Sequence, residues 1–154
     1  MTADVSACVA GLERLSKDMD HTMDRITKKA LETVQAAGRT FAPIGTPGNT
    51  TAPPGFLKAS IDVSGPRGAD GLYEGEVGPT TVYGRQRELG GHIYPKRAKH
   101  LRFTKFGETV YTLHVYQHPE PYLKPGRAAS LEPIRVMTHE QIAKTIAGDT
   151  TESV

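Results

Sequence analysis

Six histidines are the residues in this sequence that first suggest metal or acid–base chemistry. The segment His139–Ala143 begins like the zinc-protease helix motif, but Ala143 stands where that motif needs its second histidine. His114 and His118 are four residues apart, which on an extended strand separates them by ~13 Å, too far to share one ion. We therefore expect no metal site and interpret the histidines as surface or interface groups.

The sequence also lacks the common catalytic motifs. No Gly-rich phosphate loop precedes a Lys-Ser or Lys-Thr pair, and no Gly-x-Ser-x-Gly elbow occurs. Glu74 and Glu76 are two residues apart on an alternating segment, which is typical of the solvated face of a strand. Cys8 is the only cysteine, so an internal disulfide is excluded, and it has no base beside it in the sequence. We expect a protein that is not an enzyme and needs no cofactor.

The composition bounds the fold and its partners. The chain has 154 residues, 37% of them hydrophobic, and a mean hydropathy of −0.42, so it fits a single domain, 1–154, with a small core. A net charge of +2 is too small to indicate a dedicated nucleic-acid-binding protein. No apolar run approaches the ~20 residues of a membrane span, and the N-terminus lacks a secretion signal. We therefore expect no membrane contact and synthesis in a cytoplasm.

Charges are unevenly distributed along the chain. Seven basic residues and one acid, Glu88, lie between Arg85 and Lys105, whereas Asp70–Glu76 carries only acids. Separate patches of opposite sign would let copies bind head to tail, which is how rings close, although two solvated faces would give the same pattern. The candidate inter-subunit acidic patch is Asp70, Glu74 and Glu76.

A basic stretch interleaved with aromatic residues has the most distinctive composition. Tyr94, Phe103 and Phe106 stand among positive charges, a mixture suited to phosphate backbones and base stacking. The stretch predicts either non-specific contact with DNA or salt bridges to a neighbouring subunit, and both interpretations stay open. Its basic residues are Lys96, Arg97, Lys99, Arg102 and Lys105.

Apolar residues three or four positions apart predict a long N-terminal helix over residues 4–40. The apolar stripe begins at Leu12, and Gly38 with Pro43 would end the helix. We expect most of the stripe to pack on the domain's own sheet, with a short coiled coil as the alternative.

Residues 42–56 form a segment rich in proline and glycine. Four prolines and three glycines among residues 42–55 exclude a helix and a central strand. The segment is also too long for a simple connector. We expect an extended arm or loop that is either mobile in the isolated protein or held by a neighbouring subunit. The candidate inter-subunit residues are Pro47, Pro53 and Pro54.

An antiparallel sheet of about four to five strands is predicted over residues 57–117. Ile61–Val63 and Tyr73–Val77 alternate, and the Gly65–Gly71 loop between them indicates a hairpin. Thr109–Tyr116 is partly apolar on both faces, which predicts a central strand.

Two further segments complete the predicted α+β fold. Gly91–Phe103 is interpreted as a hairpin with a basic rim. A second, weaker apolar stripe predicts a C-terminal helix over 126–147, with Ser130 as its N-cap and Pro133 in its first turn. Residues 148–154 are expected to form a frayed tail.

Five short motifs follow one another along most of the chain, from about Ala30 to Ile146. Each is weak alone, and their order makes them informative together. They are Phe41–Thr46 with Leu57–Ile61; Val77–Pro79 with Tyr83 and Glu88–Gly90; Gly91–Phe103; Val110–Tyr116 with His118 and Pro119; and Tyr122–Pro125.

This order resembles the neck, or tail-completion, protein family of lambda-like and related long-tailed phages. Members of that family carry a helix ending near Ala-Pro, a Thr-Gly-x-Leu-x-x-Ser-Ile-like stretch, and Val-Gly-Pro followed by Tyr and Glu-x-Gly. They also carry a Gly-x-Ile-x-Pro-Lys-x-Ala-Lys-x-Leu-x-Phe run and an aromatic-Leu-x-Pro before the last helix. The Pro47–Phe56 segment departs from the pattern because it separates the two halves of the first motif.

The resemblance implies a non-enzymatic virion component that forms a ring in the neck, joins the head connector to the tail and lets DNA pass. A hexamer is favoured and a dodecamer is the alternative. The implied partners are a head-side connector or stopper, a tail terminator or tail tube protein, and, transiently and without sequence specificity, genomic DNA. The implied location is the virion neck, after assembly in the host cytoplasm. The alternatives are a tail terminator or head-side stopper, or a small non-specific DNA-binding accessory protein.

Overall fold

The chain folds as an α+β protein, as predicted, in a computed structural model that describes residues 5–45, 53–105 and 107–148. Long helices stand at both ends of the described chain, and short strands lie between them. In chain order the elements are α1 (Val5–Phe41), α2 (Phe56–Ala59), β1 (Ile61–Ala69), β2 (Leu72–Pro79), α3 (Gly84–Leu89), β3 (Gly91–Ile93), β4 (Leu101–Lys105), β5 (Glu108–Thr112), β6 (Val115–Gln117) and α4 (Leu123–Ile146).

The strands form three antiparallel sheets of two strands each, β1–β2, β3–β6 and β4–β5. The prediction of one sheet with four to five strands is therefore wrong. The expected central strand Thr109–Tyr116 is interrupted between Thr112 and Val115, where the Thr112 hydroxyl donates to the His114 carbonyl oxygen at 2.9 Å. Because β5 and β6 then pair with different strands, neither is central.

The first hairpin, β1–β2, is confirmed, but its turn is much tighter than predicted. Instead of a loop over Gly65–Gly71, β1 continues through a bulge between Ser64 and Arg67, and the chain reverses at Asp70 and Gly71. Asp70 has a φ of 55°, a conformation that asparagine and aspartate tolerate better than most residues. The Gly71 N–H donates to the Asp20 carboxylate at 2.7 Å, which fastens the turn to α1.

Strands β3 to β6 form a nested ribbon that spans residues 91–117. Gly91–Phe103 was predicted to pair with itself as a hairpin, and this is wrong because β3 pairs with β6 while β4 pairs with β5. An irregular connection, residues 94–100, joins the outer pair to the inner pair. The basic stretch therefore lies partly on this connection and partly on β4.

Helices α1 and α4 pack antiparallel along much of α4. Near the end of α4 the buried hydroxyls of Thr22 and Thr145 are 2.8 Å apart. Near its start, a Cβ on Gly126 would lie 2.8 Å from the backbone nitrogen of Gly38, so the two backbones approach closely there. The prediction that Gly38 ends α1 is wrong, because Gly38 is buried at this crossing and the helix continues to Phe41.

The C-terminal helix begins earlier in the chain than predicted. It begins at Leu123 and not at residue 126, so Pro133 lies inside the helix and beyond its first turn. Ser130 is not its N-cap, because the buried Ser130 hydroxyl donates to the Gly126 carbonyl one turn earlier, at 2.8 Å. Of the predicted tail, 149–154 lies outside the described residues.

The predicted arm is described only at its two ends. Pro53 and Pro54 are exposed directly before α2, whereas Pro47 lies outside the described residues. The predicted sheet does not start at residue 57, because Phe56–Ala59 forms a helical turn.

The core lies where α1 ends and α4 begins. Ala42, Leu57, Ile61 and Tyr122 are buried together, and Val77 is among the half-buried residues that pack around them. In its C-terminal half α1 also contacts the sheet, where Leu31, which lies outside the predicted stripe, packs against Gly75 of β2. In the first turns of α1 even the apolar face of the helix is exposed to solvent: Val5, Val9, Leu12 and Leu15 are 70%, 48%, 62% and 40% exposed.

Candidate functional site

A single carboxylate organises the start of α4. Oε2 of Glu88 accepts the backbone N–H groups of Tyr122 at 2.7 Å and Leu123 at 3.0 Å, and Oε1 accepts that of Lys124 at 3.0 Å. The first N–H groups of a helix have no partner within the helix, and a negative charge there also complements the helix dipole. Glu88 supplies this cap from α3, more than thirty residues earlier in the chain.

Tyr122 joins that cap to the core. Its side chain is fully buried among Ala42, Leu57 and Ile61, and its hydroxyl donates to the Gly84 carbonyl oxygen at 3.3 Å. Burial, with the nearby Glu88 charge, raises the pKa of Tyr122 to about 12. The phenol is therefore a structural hydrogen-bond donor that links the start of α3 to the start of α4.

An apolar cavity of about 380 Å³ lies between the two described ends of the arm. The side chains of Phe56, Leu57 and Ile93 contribute its apolar surface, and none of the residues that line it forms a nucleophile–base pair. Its volume and mostly apolar lining suit an apolar side chain or a small apolar ligand. The residues that line it are Pro43, Gly45, Pro53, Gly55, Phe56, Leu57, Tyr83, Gln86, Arg87, Ile93 and Gln117.

Five aromatic rings cover one face of the outer part of the ribbon, and we call them the ring surface. They are His92, Tyr94, His114, Tyr116 and His118. His92 occupies the centre, with its ring centroid 5.0 Å from that of Tyr116, 5.6 Å from that of His114 and 6.0 Å from that of Tyr94. All five side chains are exposed to solvent.

The predicted basic residues lie on the same ribbon as the ring surface. Lys96, Arg97 and Lys99 are exposed on the irregular connection that follows Tyr94. Arg102 is exposed on β4, directly opposite Tyr111 of β5, and Lys105 is the last residue of β4.

The predicted acidic residues lie on the other hairpin. Asp70 is in the β1–β2 turn, while Glu74 and Glu76 are exposed on β2. Glu74 is opposite Arg67 in the strand register, and both line a small cavity of about 110 Å³. The ion pairs within the described part of the chain involve other residues, so the acidic patch and the basic stretch do not neutralise each other there.

Comparisons with protein-family models, curated proteins and solved structures find no match to this chain. Across residues 5–45, 53–105 and 107–148, no three histidine, cysteine or acidic side chains come together in a way that could hold a metal ion. No helix in this part of the chain is long and apolar enough to cross a membrane.

Sequence reasoning missed both the ring surface and the role of Glu88. The spacing of the aromatic residues could have revealed the ring surface, because strand residues two positions apart share a face. His92 and Tyr94 have this spacing, and so do His114, Tyr116 and His118. The Glu88 cap has no comparable local signal, because a side chain that caps a helix from another element leaves no fixed spacing in the sequence.

Glu88→Ala should lower the free energy of unfolding by about 2 kcal/mol, because three backbone N–H groups at the start of α4 lose their acceptor. Urea denaturation followed by circular dichroism measures this loss. The matched control is Glu132→Ala, which removes an exposed carboxylate that lies on α4 itself and does not cap it. Equal losses for the two variants would contradict the capping role.

Tyr122 should make the protein sensitive to alkaline pH. Its pKa is about 12 when folded and 10.0 ordinarily, so the unfolded chain loses the proton first and stability falls as pH rises from about 10 towards 12. We expect Tyr122→Phe to be less stable than the parent at pH 8 but to lose less stability between pH 9 and 11, measured by urea denaturation. Parallel losses in the two proteins would refute this assignment.

Proposed function

We propose that this chain is a structural virion protein that forms a ring in the neck of a long-tailed phage, joins the head connector to the tail and lets DNA pass. The observation that carries the proposal is the position of the motif residues in the fold. Residues from motifs far apart in the sequence meet at the junction between α1, β1, α3 and α4. They are Ala42, Leu57, Ile61, Val77, Glu88, Tyr122 and Leu123.

This convergence gives the resemblance a physical basis. Ala42 of the Ala-Pro motif, Leu57 and Ile61 of the Leu-x-x-Ser-Ile motif and Tyr122 of the Tyr-Leu-x-Pro motif form the buried cluster. Glu88 of the Glu-x-Gly motif caps the helix that Tyr122 precedes. Motifs that specify one core together are the kind of pattern that relatives sharing a fold retain, so they support family membership more strongly than their separate sequence matches do.

Features of the surface support assembly of several copies. Each described strand belongs to a two-stranded sheet and so has one unpaired edge, which can accept a strand from another chain. The core is small, and many large apolar side chains are exposed. The acidic patch on β1–β2 and the basic stretch on the ribbon carry opposite charges on different hairpins, as a head-to-tail ring contact requires. A hexamer is the proposed arrangement, with a dodecamer as the alternative.

The exposed start of α1 is the proposed contact with a second copy. Thr22 of α1 lies level with the end of α4. The part of α1 that precedes it, from Val5, therefore extends ~25 Å beyond α4. The stripe formed by Val5, Val9, Leu12 and Leu15 continues the helix face that α4 covers further along, at Thr22 and Gly38. Another copy in the ring would extend this existing interface.

A small non-specific DNA-binding accessory protein is a second candidate function. The exposed basic residues on the ribbon, next to exposed aromatic rings, favour it. A tail terminator or head-side stopper of the same junction remains the alternative position within the virion.

Disruption of the gene in the parent phage should yield heads and tails that are both made but not joined, as seen by electron microscopy of lysates. Supplying the protein from a plasmid should restore joined, infectious particles. Tails of uncontrolled length would instead indicate a terminator, and heads that lose their DNA would indicate a stopper. Infectious particles that lack this protein would refute the proposal.

Leu12→Asp should reduce the purified protein from rings to smaller species, because it places a carboxylate in the centre of the exposed stripe. Mass photometry and negative-stain microscopy measure the assembly, and circular dichroism checks that helical content is retained. The matched control is Ala10→Asp, on the opposite side of the same helix, which should assemble normally. Unchanged assembly of Leu12→Asp would exclude this stripe from the ring contact.

A further inference from the structure

The outer pair of ribbon strands, β3 and β6, has two faces of very different character. Ile93 and Gln117 line the apolar cavity on the inward face. On the outward face, His92 lies directly opposite Tyr116 in the strand register, and both are exposed. Strand alternation therefore separates a face that packs on the protein from a face that presents aromatic rings to solvent.

The outward face carries a cluster of exposed aromatic rings whose planes are inclined to those of their neighbours by 29–89°. Neighbouring centroids on the ring surface are 5.0–6.0 Å apart, and Tyr94 and Tyr116 are 62% and 49% exposed. Exposed aromatic rings beside positive charge are the usual platform for unpaired nucleic-acid bases, because every base has a face that can stack. Bases in a duplex are already stacked on one another and cannot use such a platform without being unpaired.

The charge around the rings suits a polyanion. Residues 91–119 contain five lysine and arginine residues and one acid, Glu108, a net charge of +4 when the histidines are neutral. Glu108 is at the far end of the ribbon, at the start of β5. Nearby Glu88 and Glu120 are already engaged, the first by the α4 cap and the second by Arg87 at 3.0 Å. Phosphate groups would therefore meet uncompensated positive charge next to the rings.

We propose that the ring surface and the basic stretch together form a binding site for single-stranded nucleic acid. Bases stack on His92, Tyr94 and Tyr116, and phosphates contact Lys96 and Arg97 on the adjoining connection. The inference goes beyond the proposed function, because this surface would bind a single strand whether or not the chain forms a ring.

The test is fluorescence anisotropy with the full chain, a labelled oligo-dT of about 20 nucleotides and a duplex of equal length, at constant salt. We expect the single strand to bind about ten-fold more tightly than the duplex. Polyglutamate serves as a competitor that is anionic but has no bases. Absence of binding to the single strand, equal binding of the duplex, or equal binding of polyglutamate would each overturn the proposal.

Variants of the exposed tyrosines assign the effect to this surface. Tyr94→Ala with Tyr116→Ala should weaken single-strand binding about 30-fold, whereas Tyr111→Ala, an exposed tyrosine elsewhere on the ribbon, should change it little.

If the variant with Tyr94→Ala and Tyr116→Ala keeps its affinity, or Tyr111→Ala weakens binding equally, the proposal fails.

The same proteins are examined for rings by negative-stain microscopy, which separates this inference from the proposed function. Rings that form but do not bind the oligonucleotide overturn the nucleic-acid site alone. Binding by a protein that forms no rings overturns the neck assignment and leaves the site standing. Circular dichroism of each variant checks the fold, which exposed substitutions should not alter.

Discussion

The contact between the Glu88 carboxylate and the three N–H groups at the start of α4 fixes where that helix begins, and much of the molecule depends on its position. Because α4 starts at Leu123, the preceding Tyr122 side chain enters the core and Gly126 meets Gly38 of α1. A start one turn later would leave the N–H groups without an acceptor and would place Tyr122 outside the helix junction. The core is small, so much of its packing depends on the position that this one cap gives to Tyr122 and α4.

Sequence periodicity predicted the long helices and the first hairpin, because these depend on residues close together in the chain. It failed for the sheets, since alternation says that Thr109–Tyr116 can be extended but not which strands pair with it or where it breaks. Gly38 was misread for a related reason. A glycine that ends a helix and a glycine that lets another helix approach look the same in the sequence, and only the contact with Gly126 distinguishes them.

The candidate sites were predictable by residue type but not by arrangement. The charges of Lys96, Arg97, Glu74 and Glu76 could be read directly, and their exposure follows from their polarity. The ring surface depends on β3 pairing with β6 across more than twenty residues, which the interpretation of Gly91–Phe103 as a self-contained hairpin concealed. A surface that depends on strand pairing is therefore harder to predict than a site that a local sequence motif marks.

The distance along the chain between the parts of the core has a consequence for synthesis. Ala42 precedes Tyr122 by roughly 80 residues, so at about 5–20 residues per second a ribosome needs about 4–16 s to deliver the last core residue after the first. During that interval α1 has neither α4 nor Tyr122 to pack on, and its apolar stripe faces solvent. The nascent chain thus passes through a period in which chaperones, or other copies made nearby, can bind the surface that its own C-terminal helix later covers.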